Sequence, residues 1–264
     1  MQRWKLTLEY DGSAFNGWQR QNHRARVPPH VFSAQHALED AIFAFCQQRV
    51  TSIVAGRTDS GVHALAQVAH VDLAPQPRID ANTLQHGLTF HLKQNNHDAL
   101  VLIDAQAVAP SFHARFSAHA RHYLYRILNR PTPSPLLKKR VWHVPQPLDI
   151  QAMRKAAHQL VGLHDFNNFR AAGCQAKNTH RHLTALDISR TNDLIQVHAQ
   201  APAFLYKQVR IMTAALVAVG RGRLSLEQLA DQLSSTRPTR KQAAPPHGLY
   251  LQKVDYTALE ASPD

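Results

Sequence analysis

The run Trp4-Lys5-Leu6-Thr7-Leu8-Glu9-Tyr10 alternates without a break. In an extended chain Trp4, Leu6, Leu8 and Tyr10 fall on one face and the polar residues on the other. A strand buried on one side only satisfies that pattern, and such strands belong to antiparallel sheets with one packed face. The pattern returns at His122 to Leu128, where Tyr123, Tyr125 and Ile127 share a face. Thr51 to Ala55 and Gln67 to Leu73 read as further strands, and Val101 to Val108 is an apolar run closed by Pro110. Leu183 to Ser189 and Leu194 to Ala199 read as a hairpin around Arg190-Thr191-Asn192-Asp193.

Between these segments the apolar spacing changes to threes and fours, the helical period. Ser33 is placed as an N-cap before Ala34, Leu38, Ala41, Ile42 and Phe45. A weaker helix is expected over Ala81 to His91. Asp149 caps a helix carrying Ile150, Met153, Ala157 and Leu160, with Gly162 as its stop. The strongest helix carries Leu205, Val209, Met212, Leu216 and Val219 and ends at Gly220, with Lys207 and Arg210 on its other sides. Ser225 with Gln228 three residues on forms a capping box for a last helix. No repeat of 20–50 residues is visible. The sum is an α+β chain with largely antiparallel sheet. Its 264 residues suffice for two domains, and the boundary is placed near 105–112, giving 1–108 and 109–264.

Composition then removes whole classes. The first residues hold no apolar segment of the kind a secretory signal needs. The most apolar stretch, Ala214 to Val219, is far short of the ~20 residues of a membrane span, so no membrane association is expected. Two cysteines, Cys46 and Cys174, without a CxxC pair argue against a disulfide scaffold and a Cys-based zinc site, and a reducing cytoplasm is the simplest setting. No GxxxxGK[ST], GxGxxG or HExxH motif occurs, which disfavours an ATPase, a dinucleotide enzyme and a zincin. The eighteen histidines are scattered without metal-ligand spacing and read as polar surface groups, solvated or facing nucleic acid. The net charge of +12 points to an anionic partner.

Gly56-Arg57-Thr58-Asp59-Ser60-Gly61-Val62-His63-Ala64 is the stretch with most chemistry. Two glycines bracket one cation, one carboxylate and two hydroxyls, and glycine permits tight turns and close approach to a ligand. Arg57 and Asp59, two apart, project to one side of an extended backbone. A guanidinium beside a carboxylate holds it ionised, and an ionised carboxylate serves as nucleophile, general base or metal ligand. A surface turn with an incidental ion pair fits the spacing as well. Metal ligation needs more carboxylates, and the nearest, Asp72, lies in a strand with no DxD-like partner.

GRTDSGVHA resembles the signature of the tRNA pseudouridine synthase A family. The similarity continues in the family's order through EYDGSAFNGWQRQ (9–21), SFHARFSAHARHYLYRI (111–127), HDFNNFRAAGCQ (164–175), PAFLYKQVRIM (202–212) and HGLYL (247–251). The resemblance implies two ferredoxin-like α/β units around a central basic cleft, and a homodimer with tRNA bridging the protomers. It implies isomerisation of uridine to pseudouridine at positions 38, 39 and 40 of the tRNA anticodon stem-loop. Asp59 matches the family's essential carboxylate, the nucleophile. Tyr123 matches the aromatic that stacks on the target base, Arg57 the motif arginine beside the carboxylate, and Arg210 the basic residue of the later helix, which in this superfamily can pair with the aspartate. The loop at 23–32 is longer than family members carry.

Pseudouridylation breaks the N1–C1′ bond, turns the uracil and forms C5–C1′. Being an isomerisation, it is expected to need no cofactor and no metal. Asp59 could attack C6, attack C1′ or abstract the 2′ proton; each route uses an ionised carboxylate. Flipping the base costs a few kcal/mol, which stacking on Tyr123, at roughly 1–3 kcal/mol per base, would offset. Arg24, Arg26, Lys138, Lys139, Arg140, Arg221, Arg223, Arg237, Arg240 and Lys241 fall in expected loops and helix ends, suited to holding phosphates. A non-catalytic RNA-binding module, a metal-dependent nuclease and an enzyme for another tRNA position are the competing readings.

Overall fold

The computed structural model describes residues 1–20, 32–76, 78–235 and 242–257. In chain order the strands are β1 (Gln2–Tyr10), β2 (Ile53–Val54), β3 (His63–Leu73), β4 (Leu100–Val108), β5 (Ala118–Leu128), β6 (Trp142–His143), β7 (Gly162–Asp165), β8 (His180–Leu183), β9 (Ala185–Thr191), β10 (Leu194–Ala201) and β11 (Leu249–Tyr256). The helices are α1 (Ala34–Cys46), α2 (Ala81–Gln94), α3 (Ile150–Leu160), α4 (Gln208–Gly220) and α5 (Leu226–Ser234). The fold is α+β and mainly antiparallel, as the sequence periods require. Two compact units form: 1–119 with 251–264, and 120–250. The sequence reading drew 1–108 and 109–264; the structure divides the chain later and returns most of β11 to the first unit. Strand exchange of this kind leaves no mark in local composition, which is all that a boundary search along the chain can use.

In the first unit β1 runs antiparallel to β3 on one side and to β4 on the other. Its alternation is realised: Trp4, Leu6, Leu8 and Tyr10 are all buried. Each such side chain contributes roughly 1.5–3 kcal/mol of burial. β2 pairs with β3, and β11 lies on β3's far side from β1. α1 packs on α2 and α2 on β4. The Ser33 hydroxyl accepts from the His36 N–H at 3.1 Å, the expected cap. In the second unit β10 pairs antiparallel with β5 and β9. β6 adds two residues to β5 in parallel, and β7 pairs with β8. The Asp149 cap and the Ser225–Gln228 capping box both form.

Two corrections concern burial. α4 starts at Gln208, after Lys207 in a left-handed conformation, and is buried on most sides rather than along one stripe. Gln208, Arg210 and Thr213 lie inside with its apolar residues. The histidines are not all surface groups either. His63, His70 and His97 are buried, and the first two serve as acceptors for backbone N–H groups.

His70 shows what such a histidine does. Its Nδ1 accepts from the Ala114 N–H at 3.1 Å. The Ala114 carbonyl accepts from the Tyr256 hydroxyl at 2.7 Å, so both backbone groups of Ala114 are held by side chains. Arg3 forms a fork on Asp72 at 2.7 Å twice and donates to the Pro110 and Phe112 carbonyls at 2.6 and 2.7 Å. Asp72, weighed above as a metal ligand, is therefore a partner of Arg3, which holds its carboxyl below the usual range. Burial first, then the positive neighbours Arg3 and His113, lowers His70 from 6.5 to about 4.

The sign follows from which state takes the proton. On acidification the unfolded chain protonates His70 near 6.5, while the folded chain resists to about 4. The stability contributed by neutral His70 is complete above about pH 6.5 and is lost progressively as the pH falls toward 4. His70→Asn keeps an oxygen acceptor close to the place of Nδ1 without the titration. Urea midpoints measured at pH 7 and pH 5 are expected to fall further for the wild type than for this variant; equal falls would remove His70 as the source.

Candidate active site

The Asp59 loop lies in the first unit between β2 and β3. Exposure along it alternates: Arg57 is exposed, Thr58 buried, Asp59 half-buried and Ser60 exposed. Arg57 and Asp59 thus project away from the interior that takes Thr58, as the two-residue spacing requires. The segment that follows β1 cradles this loop. The Thr58 carbonyl accepts from the Trp18 N–H at 3.0 Å, and the Gly61 N–H donates to the Gly12 carbonyl at 3.2 Å. The Ser60 hydroxyl donates to the Phe15 carbonyl at 3.3 Å, and the Val62 N–H closes a turn on the Asp59 carbonyl at 3.1 Å.

Two glycines make this approach sterically possible. A Cβ on Gly12 would lie 1.9 Å from the Val62 carbonyl oxygen. Gly17 sits at φ +80°, and a Cβ there would lie 2.8 Å from the Thr58 carbonyl oxygen. His63, at the start of β3, is packed beneath. Its Nδ1 is 3.1 Å from the Gly12 N–H and 3.1 Å from the Asp11 carboxylate. These are alternatives: bare Nδ1 accepts from Gly12, and protonated Nδ1 donates to Asp11.

A buried polar network fixes the loop from inside. The Tyr10 and Thr58 hydroxyls are 2.7 Å apart. The Gln67 amide donates to the Tyr10 oxygen at 3.2 Å and to the Gly56 carbonyl at 2.8 Å, while its carbonyl accepts from the Val68 N–H at 3.2 Å. With its lone pair facing Gln67, Tyr10 has its own proton for Thr58. Burial pushes the Tyr10 hydroxyl up to about 12, so it stays protonated at neutral pH. Tyr10 and Gln67 were absent from the sequence-derived site. The available signal was Gln67 itself, an amide in a strand that reads as mostly apolar.

Tyr123 and Arg210 lie in the second unit, apart in sequence but both beside its interior. Tyr123 is half-buried on β5, opposite Ala199 of β10, with its ring edge-to-face against Phe204 at 5.2 Å. Its neighbour on the same face, Tyr125, is the core tyrosine: fully buried, and donating to the Pro245 carbonyl at 2.7 Å. Burial raises the Tyr125 hydroxyl well above the usual range, against the opposing pull of the Arg210 charge. Arg210 enters the interior from α4, and its Nε donates to the Ala244 carbonyl at 2.7 Å. The Ala244 N–H returns to the Arg210 carbonyl at 3.0 Å, so helix and 242–245 segment are laced together. Of the basic residues read for phosphate contact, Lys138, Lys139, Arg140 and Arg223 are exposed. Arg221 is half-buried, and Arg24, Arg26, Arg237, Arg240 and Lys241 lie outside the described residues.

Comparison with known proteins matches residues 156–257 to the family described as tRNA pseudouridine synthase. Over its whole length the chain is similar to proteins named tRNA pseudouridine synthase A. That of Bartonella henselae is 48% identical, covering 97% of this chain and 100% of the relative. That of Rhodospirillum centenum is 47% identical with the same coverage. That of Wolbachia pipientis from Culex pipiens is 43% identical, covering 96% of this chain and 100% of the relative.

The Tyr10–Thr58 pair is open to a double-mutant cycle. Tyr10→Phe and Thr58→Val are each expected to cost about 1–3 kcal/mol, because each leaves buried polar groups unpaired. The double variant is expected to cost less than the sum, since the second change removes a group already orphaned. Strict additivity in denaturant unfolding would mean that the two hydroxyls are not coupled.

Proposed function

The chain belongs to the tRNA pseudouridine synthase A family and is an isomerase; on that premise we propose that it converts uridine to pseudouridine at positions 38, 39 and 40 of the tRNA anticodon stem-loop. Asp59 is the nucleophile of this proposal, Tyr123 the ring that receives the target base, and Arg57 and Arg210 complete the catalytic set. The protein works as a homodimer in the cytoplasm.

The observation that carries the reading is the way the Asp59 loop is held. A loop serving only as a turn needs no neighbour reaching it through two glycines, and no buried tyrosine–threonine–glutamine network beneath it. A carboxylate that must meet one carbon atom of a flipped nucleotide does need such fixing, because reacting groups have to lie close to attack geometry before the barrier is climbed. Half-burial of Asp59 suits the role: the residue is part-exposed while its backbone is fixed. Tyr123 has a comparable setting, with Phe204 bracing its ring from the edge. Stacking on such a ring would offset part of the cost of base flipping.

Atoms and electrons balance within the substrate. The N1–C1′ bond breaks, C5–C1′ forms, and the C5 hydrogen leaves as a proton while N1 gains one. No external oxidant, reductant or group donor enters that balance, so the proposed reaction runs without a cofactor.

Two measurements test the proposal. Tritium at C5 of uridine in a tRNA transcript is expected to be released by the wild type in the presence of EDTA, and not by Asp59→Asn. Release by both proteins would remove Asp59 from the chemistry, and loss of release on chelation would point to a metal. Product mapping tests positions 38–40. Separately, tRNA affinity is expected to fall linearly with salt on logarithmic axes, with a slope of about −0.7 to −0.9 per phosphate neutralised. An affinity indifferent to salt would count against the exposed Lys138–Arg140 turn and its like as phosphate contacts.

A further inference from the structure

The segment 109–117 follows β4 and is the most heavily tied turn of the first unit. Arg3 holds the Pro110 and Phe112 carbonyls, His70 and Tyr256 hold both backbone groups of Ala114, and the Phe112 ring is buried 5.0 Å from that of Tyr256. His113 closes the tip from within. Its Nδ1 faces the N–H groups of Arg115 and Phe116 at 3.2 Å each, its own N–H donates to the Ser117 hydroxyl at 2.9 Å, and its carbonyl accepts from the Ser117 N–H at 2.8 Å. From this fixed backbone Phe116 points outward, 74% exposed, more than any other described Phe, Tyr or Trp.

A single exposed apolar residue is ordinary on a protein surface. Phe116 differs because nothing in its backbone is free to turn the ring inward, and because of what flanks it. The His113 imidazole lies 4.4 Å from the ring, tilted by 31°, and the Arg115 guanidinium is 5.4 Å from its centroid. Ser111, Arg115 and His119, near it in sequence, are exposed and polar. The chain's net charge of +12 and its tRNA-modifying family favour a nucleic-acid partner for such a ring over a protein one. It fits a nucleobase well: a flat π-face stacks on the ring, and the Arg115 guanidinium 5.4 Å from the ring centroid puts positive charge beside it.

We propose that Phe116, backed by His113 and flanked by Arg115, is a stacking platform for an unpaired base of the tRNA substrate, separate from the role given to Tyr123. This rests on the tRNA-modifying function proposed above. Stacking holds the RNA against the first unit through the loop that Arg3, His70 and Tyr256 keep rigid. Rigidity matters, because a platform that had to be ordered on binding would lose part of its affinity to that ordering.

The test compares the full-length wild type, Phe116→Leu and Phe116→Tyr, all binding an unmodified tRNA transcript at one moderate salt concentration. Phe116→Leu keeps apolar bulk and removes the π-face, and is expected to weaken binding about five- to a hundredfold, the range that a stack of this kind gives. Phe116→Tyr is expected to stay within about threefold of the wild type. All three should melt together, since the ring is outside the core, so a loss confined to Leu reports stacking and not folding. Equal affinity of Phe116→Leu and wild type would overturn the proposal. So would a change of molar mass in sedimentation equilibrium with affinity per protomer unaltered, which would give the ring to a second copy of the chain. A wild type that binds no tRNA would sink the proposed function itself, and that is read from the wild-type arm alone.

Discussion

In the first unit two stretches of backbone approach each other closely at a glycine. The turn after β1 meets the Asp59 loop so tightly that position 12 has no room for any side-chain carbon, with the Val62 carbonyl occupying that space. From this contact much else follows. Gly12 and Gly61 can exchange a main-chain hydrogen bond only at that distance, and Trp18 can reach the Thr58 carbonyl only because Gly17 takes a left-handed conformation. Main-chain hydrogen bonds from the neighbouring turn fix the loop's backbone, while Arg57 and Ser60 stay exposed and Asp59 half-buried.

Polar groups inside the protein specify position where apolar packing would only fill space. Gln67 uses both amide protons and its carbonyl, each on a different partner, and a small displacement would leave one of them unpaired. His70 acts the same way toward Ala114, and burial keeps it neutral so that its nitrogen can accept. Arg210 laces α4 to the 242–245 segment and Tyr125 reaches the same segment through Pro245. Each of these anchors an irregular stretch to a strand or helix. Regular elements satisfy their own backbone groups; loops do not, and buried side chains complete them.

Much of this was legible in the residues. The alternation from Trp4 to Tyr10, the caps at Ser33 and Asp149 and the Ser225–Gln228 box each describe a local event, and each formed as read. What escaped was non-local. β11 was read only as a short family-like stretch, and its place beside β3 depends on a partner some 180 residues earlier. The cradle around Asp59 was half visible: the two motifs that form it, 9–21 and 56–64, were both singled out, but no spacing rule says that they touch. Arg210 was taken as a residue projecting from one side of an amphipathic helix, and the helix proved to be buried on most of its surface. The periodicity was right; its meaning depended on how much structure surrounds α4.

The distribution of acids explains how an ordinary α+β core carries so basic a surface. Asp11, Asp80, Asp149 and Asp165 each accept from backbone N–H groups at the start of a helix or helical turn, and Asp72 is forked by Arg3. Carboxylates in these posts face the positive end of a helix or a guanidinium, which offsets much of their field. Some basic residues hold backbone as well, Arg3 and Arg210 among them, and others lie on the surface. Lys138, Lys139 and Arg140 are exposed on a turn whose backbone is tied by the Tyr250 hydroxyl on the Arg140 carbonyl. The net charge remains +12. For a polyanionic tRNA this gives fast, orientation-tolerant encounter by long-range attraction. Recognition then falls to the few groups held rigidly in place.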